Sequence, residues 1–321
     1  MNLPNRERVL VSLVREIAAE QAIQLDSFSH DWLLRLERGG RARHILGYNF
    51  EINSATAQMI SSDKAATADI LAAAGIAHVA HRLFLHPRLG GYVPAAGNWG
   101  RMLAYAEEQG YPVVVKANMG TGGDEVFKVA TAAELEEQVM ELFETQRAIT
   151  ISPFLEIEQE YRAIVLDDSC QLLYAKRRPS LVGDGQATVL ELIEQALLAG
   201  RISGELASRA LDGAAGDLKR VLDQDQELLL GWKHNLGAGA RPLLIERGEV
   251  YDQLAALAEQ ARRTLGIRFA SVDIVQVGGQ LSVLEVNSGV MMEYFVRHYP
   301  EQRETAKAIY AQAIEKMFSA E

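Results

Sequence analysis

The sequence predicts a mixed α/β fold of two or three compact units, on three observations. The chain has 321 residues, of which 48% are hydrophobic and 23% are charged, typical of a globular protein with substantial cores. Segments with apolar residues at helical spacing alternate with short apolar segments typical of buried strands. Near the end of the chain, two such strands flank Gly278-Gly279 and carry three oxygen-bearing side chains.

The first quarter of the chain is predicted to be mainly helical. Residues 5–22 carry apolar residues at helical spacing, and residues 31–37 predict a second helix that ends at a glycine pair. Another helix is expected after Asn53-Ser54. Ser61-Ser62 are expected to cap the helix at residues 63–74, which a glycine closes.

The rest of the chain alternates strands and helices. Strands are predicted at 79–85, 111–116, 148–152, 161–166 and 171–175, and helices at 99–109, 131–146, 251–265 and 301–318. Thr131 with Glu134, and Thr188 with Glu191, have the spacing of capping boxes. Residues 200–242 combine scattered charge with several glycines, which indicates an irregular region with short helices.

Composition excludes several classes of function. The formal net charge is −11 and no sustained basic run occurs, so neither nucleic acid nor an anionic membrane is the expected partner. The single cysteine, Cys170, excludes an internal disulfide and a cysteine-based zinc cluster, and a nucleophilic role for it is not expected. The N-terminal segment has charges throughout and no uninterrupted apolar core, so neither a signal peptide nor a spanning helix is expected there. A cytoplasmic protein is the expectation.

The C-terminal hairpin predicts a metal site. Glu285 and Asn287 project from the same side of their strand, because side chains alternate along a strand. If the hairpin pairs across Gly278-Gly279, Asp273 lies near their level on the neighbouring strand. Three oxygen-bearing side chains on one face suit a hard divalent cation, most naturally Mg²⁺ shared with phosphate oxygens. The alternative is a solvated hairpin face.

A glycine-rich loop predicts a phosphate site. Lys116 ends an apolar strand, and Gly120, Gly122 and Gly123 follow within a few residues around Thr121. Glycines let the backbone approach a ligand, successive amides form an anion-binding nest, and the lysine adds a positive charge. The loop matches neither the P-loop nor the dinucleotide G-x-G-x-x-G pattern. The alternative is a β-hairpin with a glycine-rich turn.

The order of these parts resembles the ATP-grasp superfamily. The resemblance runs from about residue 45 to 295 and is carried by Asp63-Lys64, Val113-Val114-Val115-Lys116 before the glycine loop, Glu160-Tyr161-Arg162 and the C-terminal hairpin. Further segments are similar to cyanophycin synthetase and the ribosomal-S6-modifying glutamate ligases: Ser61 to Thr67, Lys176-Arg177-Arg178-Pro179 with Val182 to Gly185, and Lys233-His234-Asn235-Leu236. The resemblance implies an ATP-grasp fold with an N-terminal domain at 1–60, an N-terminal lobe at 61–153 and a C-terminal lobe at 154–321.

The resemblance also implies roles for individual residues. Lys64 and Lys116 would contact the phosphates of ATP, and a flap over them would consist of Gly120, Thr121, Gly122 and Gly123. Phe154 and Leu155 would lie at the adenine, and Glu160 would bind the ribose. Asp273, Glu285 and Asn287 would hold Mg²⁺, expected as two ions for which Mn²⁺ can substitute. Arg162, Arg177, Lys233 and Asn235 are the catalytic candidates, for the transferred phosphoryl group or substrate carboxylates.

Three departures from the family pattern stand out. Ser152-Pro153 occupy the hinge where the family often has Glu or Gln and a larger residue, Lys233 stands where Arg is common, and Ser288-Gly289 replace the usual Pro-Gly. Arg41, Arg43 and His44 would bind an acidic substrate if they face the cleft, and otherwise form a solvated loop.

The activity that the resemblance implies is ADP-forming carboxylate–amine ligation through an acylphosphate. The expected partners are a small-molecule carboxylate and amine, with an amino acid or peptide-like substrate, and a homodimer is common in the family. Two alternatives stay open: an ATP-grasp carboxylase or kinase that uses the same phosphate site, and a nucleotide-binding module without turnover.

Overall fold

The structure, a computed structural model, describes residues 7–93, 96–120, 125–213 and 217–319. Its contacts divide the chain into two units, Met1–Leu173 with Glu246–Glu321, and Tyr174–Ile245. The three-part division predicted at residues 60/61 and 153/154 stays a prediction. None of the helices within the described ranges is long and apolar enough to cross a membrane.

The larger unit begins with a helix and a four-stranded antiparallel sheet. Helix α1 spans Val9–Glu20 and buries one apolar face. The strands β1 Gln24–Phe28, β2 Leu33–Arg38, β3 Arg41–Leu46 and β4 Asn49–Phe50 pair in chain order.

The helix predicted at residues 31–37 is wrong, because strand β2 occupies this region. Leu34 and Leu36 are fully buried and alternate with less buried neighbours, which is the period of a strand. Gly39 and Gly40 have φ of +59° and +75° and form a two-residue turn into β3. Pairing across this turn fixes the strand, since two consecutive positive φ values match the twist of a hairpin.

Helices α2 Ala55–Ser62 and α3 Lys64–Ala73 follow and contact the strand Gln280–Asn287, the second strand of the predicted metal hairpin. Ser54 caps α2, since its side chain accepts the amide of Ala57. Asp63, rather than the predicted Ser61-Ser62, caps α3 through a 2.8 Å bond from the amide of Ala66. Asp63 serves as the cap because it directly precedes the first helical residue, and from that position a side chain reaches the free amides of the first turn.

A second antiparallel sheet has the order β5-β8-β6-β7. Its strands are β5 Arg82–Leu85, β6 Val113–Ala117, β7 Val126–Val129 and β8 Ala148–Pro153. Helices α4 Trp99–Gln109 and α5 Ala132–Thr145 supply the apolar core of one face, together with Val113, Val115, Ile149 and Ile151. Strand alternation therefore assigns Lys116 and its cross-strand neighbour Thr150 to the opposite face.

The third sheet carries the predicted metal hairpin. Strand β9 Gln159–Leu166 pairs antiparallel with β14 Phe269–Val277, which pairs with β15 Gln280–Asn287. Gly278 and Gly279, with φ of +56° and +74°, close the hairpin as predicted. Helix α8 Glu249–Thr264 packs on this sheet, and α9 Glu293–His298 and α10 Arg303–Ser319 follow it.

Strand β10, Ser169–Arg177, begins in the larger unit and ends in the smaller one. Its Cys170 is buried, and burial raises the pKa of the thiol to about 11. This agrees with the expectation that the thiol is not a nucleophile.

In the smaller unit, the end of β10 pairs with β13 Arg241–Leu244. Strands β11 Ser180–Val182 and β12 Glu227–Leu229 pair with each other, and α6 Val189–Leu198 and α7 Gly204–Gly213 contribute to a separate apolar core. The capping box of Thr188 and Glu191 at the start of α6 is confirmed.

Candidate nucleotide and metal site

The hairpin register brings the three predicted metal ligands to one face of the sheet. Asp273 lies directly opposite Glu285, and Ser271 lies opposite Asn287. Val283 pairs with the residue after Asp273, so Leu284 is an extra residue in β15 and forms a bulge beside Glu285. Bulges re-aim the side chains next to them and are frequent beside active sites.

Arg162 of β9 is the cross-strand neighbour of Asp273 on its other side. The guanidinium donates two hydrogen bonds, Nε to Oδ1 at 2.7 Å and Nη2 to Oδ2 at 2.6 Å. Asp273 is only 1% exposed, so this bidentate contact balances a buried carboxylate. Arg162 therefore fixes the orientation of Asp273.

The donor set fits a hard cation. The amide nitrogen of Asn287 donates to Oε1 of Glu285 at 3.1 Å, so the amide oxygen is the atom that a cation would take. No group of three or more His, Cys, Asp or Glu side chains within the described ranges could hold a metal. The set here has two carboxylates and one amide, and oxygen ligands of this kind suit Mg²⁺.

Lys116 is a buried ammonium beside these carboxylates. Burial lowers its pKa to about 8, Glu285 and Glu160 oppose the change, and Lys64 adds to it. The pKa of Lys64 is also lowered, mainly by burial, and Glu285 partly restores it. Two lysines and two carboxylates thus interact in one largely buried region. The effective dielectric constant is low there, so the lysines would attract an arriving polyphosphate strongly.

A small pocket lies among these groups. It is lined by Ser61, Ser62, Lys64, Thr67, Gly120, Leu284, Glu285, Val286 and Asn287. The ammonium of Lys64 donates to the carbonyl of Gly120, which joins the start of α3 to the glycine loop. Two of the predicted phosphate residues, Lys64 and Gly120, and two of the predicted metal ligands, Glu285 and Asn287, therefore line one pocket.

Asn118 contributes to this arrangement and was not predicted. It is 2% exposed, its Oδ1 accepts the amide of Ala65 at 3.1 Å, and its carbonyl accepts the amide of Lys64 at 3.2 Å. These contacts fix the first turn of α3 relative to the end of β6. The signal available in the sequence was a polar residue directly after a buried strand.

His81 is a second group that sequence reasoning missed. It is 5% exposed, and its Nε2 lies 3.1 Å from the carbonyl oxygen of Leu284, the bulge residue. Burial, reinforced by Lys116, lowers its pKa well below the ordinary value. The imidazole is therefore neutral at pH 7 and supports the bulge beside Glu285.

The chain is similar in sequence and fold to known proteins. Residues 91–172 match the family model for the ATP binding domain of the carbamoyl-phosphate synthase L chain. The chain is 39% identical over 57 residues to the tetrahydromethanopterin:alpha-L-glutamate ligase of Methanocaldococcus jannaschii, over 18% of this chain and 19% of that protein. It is 24% identical over 281 residues to the glutathione biosynthesis bifunctional protein GshAB of Lactiplantibacillus plantarum, over 80% of this chain and 35% of that protein.

The bifunctional glutathione synthetase of Pasteurella multocida superimposes with a TM-score of 0.58 at 19% identity, covering 96% of this chain and 43% of that protein. The chain has the ATP-grasp fold. The predicted fold class and the resemblance to ATP-grasp proteins are thus confirmed. The chain spans about a fifth to a third of the length of the curated relatives that it matches.

Within the ATP-grasp fold, the remaining nucleotide candidates are placed as follows. Glu160 is 8% exposed on β9, on the same face as Arg162. Phe154 and Leu155 follow β8, and the ammonium of Lys128 lies 3.8 Å from the centroid of the Phe154 ring. Thr121, Gly122 and Gly123 lie outside the described residues.

Three catalytic candidates lie in the smaller unit. Arg177 is 56% exposed at its side chain and pairs with Glu227 at 3.1 Å. Lys233 lies beside the ring of Trp232, at 5.6 Å from its centroid, and Asn235 accepts the amide of Gly237 at 2.8 Å. Their roles stay predictions.

Arg41, Arg43 and His44, predicted to form either a solvated loop or a site for an acidic substrate, lie on strand β3. Arg43 donates to the carbonyl of Met317 at 2.7 Å, and His44 contacts Glu51 at 2.8 Å. Arg43 therefore ties β3 to helix α10, which is a structural role.

Proposed function

We propose that this chain is an ATP-dependent, ADP-forming carboxylate–amine ligase that acts on an amino acid or peptide-like substrate through an acylphosphate. The observation that carries the proposal is that Lys64, Glu285 and Asn287 line one pocket. The buried ammonium of Lys116 interacts with two of these residues, Lys64 and Glu285. Phosphoryl transfer requires positive side chains that bind the phosphate oxygens and oxygen ligands that hold a divalent metal ion.

In this proposal, Asp273, Glu285 and Asn287 hold Mg²⁺ or Mn²⁺, and the metal supplies charge neutralisation on phosphate oxygens. Lys64 and Lys116 bind the phosphates, Glu160 accepts hydrogen bonds from the ribose hydroxyls, and residues 120–123 cover the phosphates. Lys116 carries its charge at pH 7, since its pKa is about 8. Arg162 holds the carboxylate of Asp273 in a fixed orientation.

The chemistry then has two steps. A substrate carboxylate oxygen attacks the γ-phosphorus, the bond to the β-phosphate oxygen breaks, and ADP leaves with an acylphosphate formed. The amine attacks the acyl carbon, phosphate leaves, and the amine loses a proton. Exclusion of water protects the acylphosphate between the steps. Arg177, Lys233 and Asn235 are proposed to bind the substrate carboxylate or the transferred phosphoryl group.

The substrate class is supported by the names of two relatives, a glutamate ligase and a glutathione biosynthesis protein. One name contains an amino acid, glutamate, and the other contains a peptide, glutathione, so an amino-acid or peptide carboxylate is the proposed acceptor of the phosphoryl group. A homodimer is proposed as the assembly and the cytoplasm as the compartment. Light scattering in solution tests the homodimer, and fractionation of the source cells tests the compartment.

The deciding experiment is a screen for ADP release with amino acids and dipeptides as paired substrates, followed by trapping. Hydroxylamine added with the active carboxylate and no amine should give a hydroxamate together with ADP. AMP as the main product, or ADP without hydroxamate at any hydroxylamine concentration, contradicts the acylphosphate. ADP release that depends on bicarbonate identifies a carboxylase instead.

Two variants link the activity to the site. Glu285→Ala should abolish turnover while the melting temperature stays near that of the parent protein, because Glu285 is a partly exposed side chain of the pocket. The matched control is Glu301→Ala, which changes an exposed carboxylate elsewhere in the larger unit. Substantial ADP formation by Glu285→Ala at saturating Mg²⁺ would rule out the assigned metal site.

A further inference from the structure

The open end of the metal hairpin, opposite the Gly278-Gly279 turn, contacts one short segment of the N-terminal region. This segment, residues 48–53, contains strand β4 and leads into helix α2, and we call it the anchoring segment. It contacts both strands of the hairpin: the start of β14 and the residues directly after β15.

Asn53 holds the start of β14 through three hydrogen bonds. Its Oδ1 accepts the amides of Arg268 at 2.8 Å and Phe269 at 2.9 Å, and its Nδ2 donates to the carbonyl of Phe269 at 2.8 Å. One side chain therefore satisfies backbone groups where the strand begins.

Asn49 holds the other strand at its end. The hydroxyl of Ser288 donates to Oδ1 of Asn49 at 2.8 Å, and Asn49 forms a backbone bridge with Gly289. The amide of Val290 donates to the carbonyl of Tyr48 at 3.1 Å. Ser288 directly follows the predicted metal ligand Asn287 and is 5% exposed, so this contact is adjacent to the site and shielded from water.

The anchoring segment is itself rigidly packed. The ring of Phe50 is fully buried, with centroids 5.2 Å from Phe269 in an edge contact and 5.5 Å from Tyr310 in a stacked contact. The hydroxyl of Tyr310 donates to the carbonyl of Val290 at 3.0 Å and accepts the amide of Met292 at 3.2 Å. The position of the segment is thus fixed by the same core that holds the residues after the hairpin.

From these contacts we propose that Asn49 and Asn53 are positioning residues of the metal site. They fix the open ends of β14 and β15, and so hold Asn287 and Glu285 at the spacing that a divalent cation requires. Residues outside the ligand shell that orient ligands commonly change metal affinity by about 10- to 100-fold when they are replaced. The proposal rests on the metal site of the proposed function. It explains how Ser288 serves where the ATP-grasp family usually has a proline, since the Asn49 contact supplies the restraint.

The test measures Mn²⁺ binding by electron paramagnetic resonance in the presence of a non-hydrolysable ATP analogue, using the full chain. Asn49→Ala should weaken Mn²⁺ binding about 10-fold. Ser288→Ala should weaken it similarly, and the double variant should be no weaker than either single variant, since both remove the same hydrogen bond. Asn49→Asp keeps the acceptor oxygen for Ser288 and should restore most of the affinity.

The matched control is Asn98→Ala. Asn98 caps helix α4 through a 3.0 Å bond to the amide of Arg101, so the same substitution removes a comparable hydrogen bond elsewhere in the larger unit. It should lower the melting temperature without changing Mn²⁺ affinity. Hydrogen exchange without metal adds an independent readout, because Asn49→Ala and Asn53→Ala should both speed exchange of amides near residues 283–292.

Unchanged Mn²⁺ affinity in Asn49→Ala and Ser288→Ala would overturn the positioning role, while loss of binding in Glu285→Ala would keep the metal site itself. Unchanged affinity in Glu285→Ala would overturn both. If Asn49→Ala does not fold, Ser288→Ala decides the question, since it removes only the hydroxyl of the same pair.

Discussion

Lys116 gives a prediction that separates function from stability. The side chain is 7% exposed on β6, and burial lowers its pKa from the ordinary 10.5 to about 8. At ~1.36 kcal/mol for each pKa unit, this change corresponds to about 3 kcal/mol of unfavourable free energy for keeping the ammonium charged in the folded chain. Lys116→Met removes the charge and keeps an unbranched side chain of similar length. At pH 7 the variant should therefore be more stable than the parent, by at most about 3 kcal/mol.

The pH dependence follows from the direction of the pKa change. Below about pH 8 both the folded and the unfolded chain carry the proton of Lys116, and the folded state bears the full cost. Between about pH 8 and 10.5 the unfolded chain binds this proton more tightly than the folded chain, so the free energy of unfolding of the parent rises with pH. The advantage of Lys116→Met should shrink across this window.

The assay is urea denaturation of both proteins at about pH 7 and about pH 10, with ATP binding measured in parallel. Lys116→Met should lose ATP affinity although it gains stability. The matched control is Lys219→Met, which changes an exposed lysine of the smaller unit and should give no gain. A folded Lys116→Met that is less stable than the parent at pH 7, or an advantage that does not change with pH, would refute the reasoning.

Two further predictions concern buried charges. Arg162→Met removes the guanidinium from the carboxylate of Asp273, which is 1% exposed, and should lower the free energy of unfolding by about 3–5 kcal/mol. Arg162→Lys keeps a charge but not the bidentate contact and should be intermediate. Urea denaturation measures both effects, and equal stability of the parent and the two variants would contradict the prediction. Glu293→Leu should lower the free energy of unfolding by about 3 kcal/mol, because the buried carboxylate accepts hydrogen bonds from the amides of Val9 at 2.8 Å and Leu10 at 3.2 Å at the start of α1. A loss below about 0.5 kcal/mol in the same denaturation assay would show that these bonds contribute little.

Local patterns predicted the parts of the site that depend on neighbouring residues. Strand alternation was sufficient to place Glu285 and Asn287 on one face of the predicted hairpin. Asp273 joins them only because the bulge at Leu284 shifts the register, since pairing from the Gly278-Gly279 turn alone would put Asp273 opposite Leu284. That bulge has no signal in the sequence. Helix α4 was likewise predicted at its observed bounds, Trp99–Gln109, from an apolar period and a closing glycine.

Contacts between distant segments could not be predicted. The pairing of Arg162 with Asp273 depends on which strand lies beside β14, and nothing near either residue encodes that order. Glu293 and α1 are separated by most of the chain, and the sequence gives no sign that the carboxylate caps this helix. The error at residues 31–37 has the same origin, because a short leucine-rich segment fits both periods until its pairing partner is known.

The burial of Cys170 has a practical consequence for labelling. With a pKa of about 11, the Cys170 thiol is almost entirely protonated at pH 7.5, and the thiolate is the form that attacks maleimides. A cysteine introduced at an exposed position such as Lys128 would have an ordinary pKa of about 8.5 and react far faster. Fluorescent or spin labels can therefore be attached to the native sequence at chosen surface positions, with no need to replace its own cysteine first.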